Sequence, residues 1–187
     1  QQAVLDAHAH SHAVSVLAWD GVAIAVFAAG DVIKADAAAT IAELARGNID
    51  VWLLTGDNAE AAAKVGALVG IPTDRIIASA RPEDKLSKIS ALQSEGKHVL
   101  MVGDGINDAP ALAAADVGLA MANLNADGQR GGTDVAMQAA GITLMRGDVA
   151  LVAGALDISA RTVSKIRQNL FWAFAYNAAG IPLAALG

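Results

Sequence analysis

Cysteine is absent from the 187 residues, so the chain can form neither a disulfide nor a thiolate metal site. That absence leaves the redox compartment undetermined. Aromatic residues are scarce, at 4%, while the 55% apolar fraction is mostly Ala, Val, Leu and Ile. Such a palette suits a parallel sheet covered on both faces. There is no excess of positive charge either: the net charge of −6 argues against a nucleic-acid surface. No signal-peptide pattern opens the sequence. The length allows one good core plus an appendage.

What is present is an alternation of helical and extended patterns. The sequence predicts a hairpin over Val14–Ala28, then helices near Ala35–Arg46, Asn58–Val69, Pro82–Glu95 and Asp108–Ala115. Strands near Ile49–Leu54, Ile76–Ser79, His98–Val102 and Val117–Ala120 alternate with them. The pattern implies an α/β fold with parallel strands joined by right-handed crossovers. Residues Ala122 to Arg130 are rich in Asn, Asp and Gly and read as a surface insertion.

Three strand-end loops carry chemistry. The run Gly103-Asp104-Gly105-Ile106-Asn107-Asp108 follows an apolar strand and sets two carboxylates four apart on a glycine-rich turn. Mg²⁺ takes hard oxygen ligands, commonly one or two carboxylates completed by water and phosphate oxygens. Asp104 fits a direct Mg²⁺ ligand, and Asp108 a second ligand or a holder of bound water. The plainer alternative is a turn in which Asp108 caps the following helix, with Pro110 in its first turn. Thr55-Gly56-Asp57-Asn58 stands at a strand end before the helix from Ala59, where a hydroxyl and backbone amides can receive a phosphoryl oxygen. Arg81-Pro82-Glu83-Asp84-Lys85 opens another helix, and Lys85 can bring a point positive charge to the same group. Taken singly, Thr55 reads as a helix cap and Lys85 as a solvated side chain.

In their order and spacing, these three motifs resemble the signatures of P-type cation-transporting ATPases, whose phosphorylation domain has the haloacid dehalogenase-like fold. Asp31 to Lys34 resembles the return from the nucleotide-binding domain, with Ala35 where the family usually has proline. Asp116-Val117-Gly118 resembles the strand after the long signature. Gly132-Thr133-Asp134-Val135-Ala136 and Leu144-Met145-Arg146-Gly147-Asp148 are similar to the heavy-metal-transporting branch. The resemblance implies three regions: residues 1–33, the last strands of the nucleotide-binding domain and a hinge; 34–147, the C-terminal part of the phosphorylation domain; and 148–187, a linker helix running into a truncated transmembrane helix. It also implies catalytic roles for Thr55, Gly56, Asp57, Lys85 and Asn107. The first four of these would contact the phosphoryl group of ATP, with Mg²⁺ on Asp104 and Asp108.

The family's phosphorylated aspartate lies in an Asp-Lys-Thr-Gly-Thr string, and that string is absent from the sequence. Its His-Pro nucleotide-binding pair is absent as well. The resemblance therefore implies that the chain begins inside the nucleotide domain, in keeping with the lack of an initiating Met, and does not autophosphorylate alone. The strand bearing the nucleophile belongs in the middle of the sheet, so its neighbours are expected to have open edges. One alternative is a freestanding phosphatase that uses Asp20, which follows the apolar run Val14 to Trp19. Against it, Asp20-Gly21 between two apolar runs is a strong hairpin signal. Another alternative is a non-catalytic module that binds Mg²⁺ or phosphate. His8, His10 and His12 alternate like one strand face and read as a solvated terminal segment rather than a metal site.

From Asp148 the pattern is one long helix. Arg161, Lys165 and Arg167 precede Leu170 to Gly187, eighteen nearly all-apolar residues that approach the length of a bilayer span. Tyr176 and Asn177 are the polar exceptions. At this place Tyr-Asn resembles copper and silver pumps, which implies that both help to bind the transported ion; interhelix hydrogen bonding is the alternative. The implied partners are the N-terminal part of the same pump, the transported heavy-metal ion and the lipid bilayer. The implied location is a cell membrane, multi-pass in the intact protein, with the phosphorylation domain in the cytoplasm.

Overall fold

The computed structural model describes residues 13–29, 32–103, 106–121 and 134–187. His8, His10, His12, Asp31, Asp104, Gly105, the stretch 122–130 and Gly132-Thr133 lie outside the described residues. The chain forms two compact units that divide between Asp148 and Val149.

In the first unit, β1 (Ala13–Trp19) and β2 (Val22–Ala29) pair antiparallel, with one register shift between Leu17 and Ala18. Asp20 and Gly21 join them at φ 50° and 75°, both left-handed, as a two-residue hairpin turn of the primed type requires. Asp20 is therefore an exposed turn residue between two antiparallel strands, not the end of a parallel strand. This corrects the alternative that made it a phosphatase nucleophile.

Next come α1 (Ala37–Arg46), β3 (Leu53–Leu54), α2 (Ala59–Val69), β4 (Ile76–Ile77) and α3 (Pro82–Ser94). They are followed by β5 (Leu100–Gly103), α4 (Ala109–Ala114), β6 (Val117–Met121), α5 (Asp134–Ala139) and β7 (Ile142–Leu144). The ends of α2 follow from side-chain chemistry. Asn58 accepts the Ala61 N–H at 2.9 Å, and Gly70 at φ 84° closes the helix by donating to the Gly66 carbonyl at 2.8 Å. Pro82 sits in the first turn of α3, and the Asp84 carboxylate accepts the Arg81 N–H at 2.9 Å.

Strand pairing is parallel throughout β3–β7, as the helix and strand alternation predicts. Among the described residues, however, the strands form two ladders, β3-β4 and β5-β6-β7, rather than one continuous sheet. β3 and β5 each pair on one side only. The core of the larger ladder is Leu112 of α4 against Ala120 of β6, walled by Met101, Met137, Ala139 and Ala140. Full burial of a leucine such as Leu112 contributes about 2 kcal/mol. Gly118 lets α4 lie this close: a Cβ there would meet the Leu112 carbonyl oxygen at 2.4 Å.

The second unit is α6 (Ala150–Leu186), one helix of 37 residues, ~55 Å long at the usual rise. Arg161 and Asp157 pair one turn apart at 2.9 Å. Among the described residues no helix is long and apolar enough to cross a membrane. Tyr176, Asn177, Gly180 and Pro182 interrupt the apolar half of the helix.

A phosphoryl loop and a cation corner

Thr55 follows β3 directly and keeps its strand bond, donating its N–H to the Ile77 carbonyl at 3.0 Å. Its hydroxyl donates to the Asp57 carboxylate at 2.7 Å and accepts the Asp57 N–H at 3.1 Å. The helix cap is Asn58, so Thr55 is not spent on capping. The loop is also tied to the segment beyond β4. Ala80 donates its N–H to the Thr55 carbonyl at 2.8 Å, and Ser79 donates to the Asp57 carbonyl at 2.7 Å. Ser79 makes that reach in a left-handed conformation, φ 51°. Gly56 lies beside Ala80, whose carbonyl is 3.9 Å from where a Cβ would stand. Ala80 leads straight into Arg81 and α3, which carries Lys85.

Lys85 is not a solvated surface residue. Its ammonium donates to Asp108 Oδ1 at 2.7 Å, and the two side chains are only 15% and 13% exposed. Asp108 stands at the end of the 3-10 turn Ile106–Asp108, just before α4, yet its side chain makes no capping bond. It turns back to β5 instead. A Cβ on Gly103 would lie 2.7 Å from Asp108 Cβ and 2.8 Å from Oδ2, so the bare glycine is the seat of this carboxylate. Asn107 is exposed on the same turn.

The donor chemistry fits Mg²⁺. The half-buried Asp108 carboxylate beside Gly103 at the end of β5 offers a hard oxygen ligand of the kind Mg²⁺ takes. Among the described residues no cluster of three or more acidic or histidine side chains forms a cage of its own. The structure thus brings Lys85 to Asp108, and binds Thr55, Gly56 and Asp57 to the segment that opens the Lys85 helix. Asp104, the other expected metal ligand, lies outside the described residues.

At the opposite end of β5, the Asp116 carboxylate accepts the Val99 N–H at 2.8 Å and the Gln93 amide at 3.3 Å. These bonds, with smaller help from nearby His98, hold its carboxyl below the usual carboxylate range. Sequence reasoning missed this brace, and it missed the seat at Gly103. The bracket from Lys34, whose ammonium donates to the Gly147 carbonyl, was missed as well. Only Gly103 had a visible signal, a glycine immediately before an Asp.

On α6, Tyr176 is exposed and the Asn177 amide donates to the Ala173 carbonyl at 2.8 Å, one turn back. Consecutive residues point about 100° apart around a helix.

The chain is similar to several known proteins. The profile of haloacid dehalogenase-like hydrolases matches residues 2–116. A copper-exporting P-type ATPase of Staphylococcus haemolyticus is 46% identical over all 187 residues, which cover 22% of that protein. A probable copper-importing P-type ATPase A of Enterococcus hirae is 45% identical over the same length and is covered to 25%. The chain thus spans about a quarter of the length of these curated relatives. Among solved structures, a zinc-transporting PIB-type ATPase in the E2.Pi state superposes over the whole chain with a TM-score of 0.79 at 30% identity; 29% of that structure is covered.

Proposed function

Because the chain belongs to the haloacid dehalogenase-like hydrolase family, we propose that it is the Mg²⁺- and phosphoryl-binding part of the phosphorylation domain of an ATP-driven heavy-metal pump, of the copper or silver type. The observation that carries the reading is the half-buried Lys85–Asp108 pair at the end of β5, with the Thr55 loop bonded to the segment leading into α3. Such a corner is suited to phosphoryl transfer, where positioning and charge neutralisation supply most of the catalysis.

In this reading Thr55 and Gly56 receive the oxygens of the phosphoryl group that ATP donates, and Asp57 orients the Thr55 hydroxyl. Lys85 contributes positive charge, and Asn107 lines the rim. Asp104 and Asp108 hold Mg²⁺, which when bound neutralises charge on the transferring group. The acceptor aspartate comes from a segment of the pump outside this chain. The one-sided edges of β3 and β5 suit a strand inserted between them, as the resemblance implies for the strand that bears it. Residues 1–33 then belong to the nucleotide-binding domain and hinge, and 34–147 to the phosphorylation domain. Residues 148–187 lead toward the membrane region, where the apolar half of α6 meets lipid or neighbouring helices. Tyr176 and Asn177 serve the transported ion there, together with ligands from other helices.

The test uses the intact pump. Asp104→Ala is expected to abolish metal-dependent phosphoenzyme formation, measured as acid-stable label from γ-labelled ATP. Phosphoenzyme at the normal level would refute the assignment.

A further inference from the structure

The Lys85 ammonium holds one oxygen of a carboxylate in the proposed Mg²⁺ site. Lys85 donates to Asp108 Oδ1 at 2.7 Å, while the Gly103 backbone lies against Asp108 Oδ2. With the two side chains 15% and 13% exposed, water does little to screen the pair, and neither charge is easily left alone. We propose that Lys85 is an internal competitor for Mg²⁺: it neutralises Asp108 when no divalent cation is bound and leaves that oxygen when one arrives. The inference rests on the reading of Asp108 as part of a Mg²⁺ site.

The physical chemistry runs in one direction. A ligand whose binding-competent state is only fractionally populated binds more weakly by that fraction. With Lys85 on Asp108, the competent state is the one in which the ion pair has opened. An ammonium remaining nearby also repels the incoming dication. Both effects lower the affinity, and both disappear with Lys85. When the pair opens, the released ammonium becomes available to an anionic phosphoryl group. Cation arrival and phosphoryl stabilisation are thereby coupled through one side chain, with no further moving part.

The test is calorimetric titration of the 187-residue chain with MgCl₂ alone, without ATP, comparing wild type, Lys85→Met and Asp108→Asn. Lys85→Met is expected to bind Mg²⁺ about tenfold more tightly than wild type. It should also gain more thermal stability from saturating Mg²⁺, since the cation then balances a carboxylate that nothing else does. Asp108→Asn is expected to lose the binding. If Asp108→Asn binds like wild type, the Mg²⁺ reading of the site falls and takes this inference with it. Binding that depends on Asp108 but is equal or weaker in Lys85→Met overturns the competition alone. Should Lys85→Met fail to fold, the wild-type chain still decides the matter by NMR of ¹³C-labelled lysine. The Lys85 Cε resonance is expected to move in step with Mg²⁺ saturation, and a resonance unmoved through saturation would overturn the proposal.

Discussion

The Thr55 loop and the Asp108 corner face the same proposed chemistry but are built in opposite ways. The Thr55 hydroxyl and Asp57 close on each other two residues apart, in an exposed stretch. Asp108 instead finds its partner 23 residues away, half-buried, on a seat that only a residue without a side chain provides. A side-chain contact made locally between exposed groups costs little to form and little to lose. A corner held by a long-range ion pair against a glycine depends on the packing of α3, α4 and β5 together. The side-chain contacts of the phosphoryl loop are thus local and only its backbone is tied to the segment after β4, whereas on the cation side the side-chain pair itself is made by the tertiary fold.

The strongest way to break that contrast is Gly103→Ala. The new methyl group would lie 2.7 Å from Asp108 Cβ, the stem of the side chain rather than its flexible tip, so the carboxylate must move as a whole. Overpacking of this kind costs about 1–3 kcal/mol. The expected result in urea unfolding is a lower midpoint at unchanged slope, together with loss of Mg²⁺ binding. A variant as stable as wild type that still binds Mg²⁺ would mean that the seat is not selective.

Asp57→Ala is the matching change on the other side. It removes the acceptor of the Thr55 hydroxyl but leaves the backbone ties to Ser79 and Ala80. For an exposed hydrogen bond the expected stability loss is below about 1 kcal/mol. The functional loss in the intact pump should be much larger, because an unanchored hydroxyl is badly placed for a phosphoryl oxygen. Unfolding midpoints and phosphoenzyme levels measured on the same variant separate the two effects. A stability loss equal to that of Gly103→Ala would erase the contrast between loop and corner.

The same division explains what could be read from the residues alone. The helices came from the alternation of helical and extended patterns, and the turn at Asp20-Gly21 from local backbone preference. All of these are short-range. The Lys85–Asp108 pair was not legible, because no periodicity links residues on different elements. Lys85 reads as a charge for the phosphoryl group and Asp108 as a Mg²⁺ ligand, each separately, with a solvated side chain and a helix cap as the plainer alternatives. The split into two ladders was hidden for a related reason: the alternation predicts that strands are parallel but does not say which edges remain open. The apolar run over residues 170–187 was legible as part of one long helix, with Tyr176, Asn177 and Pro182 as its interruptions.

The smallest expected effect lies at the far end of β5 and sharpens how the corner is held. Asp116 accepts from Val99 and Gln93, which depresses its carboxyl below the ordinary range in the folded chain. A depressed folded value means that the ionised form stabilises the fold at pH values above the unfolded carboxylate value of about 4. That contribution fades as the pH falls through the depressed folded value. Asp116→Asn should therefore melt slightly below wild type at neutral pH, with the gap narrowing as acid protonates the wild-type carboxylate. Because the group is solvent-facing the gap is small, and thermal melts across the acid range are the measurement. Curves that stay parallel throughout that range would show that the Val99 brace does not depend on charge, leaving the ion pair at Asp108 as the corner's chief electrostatic tie.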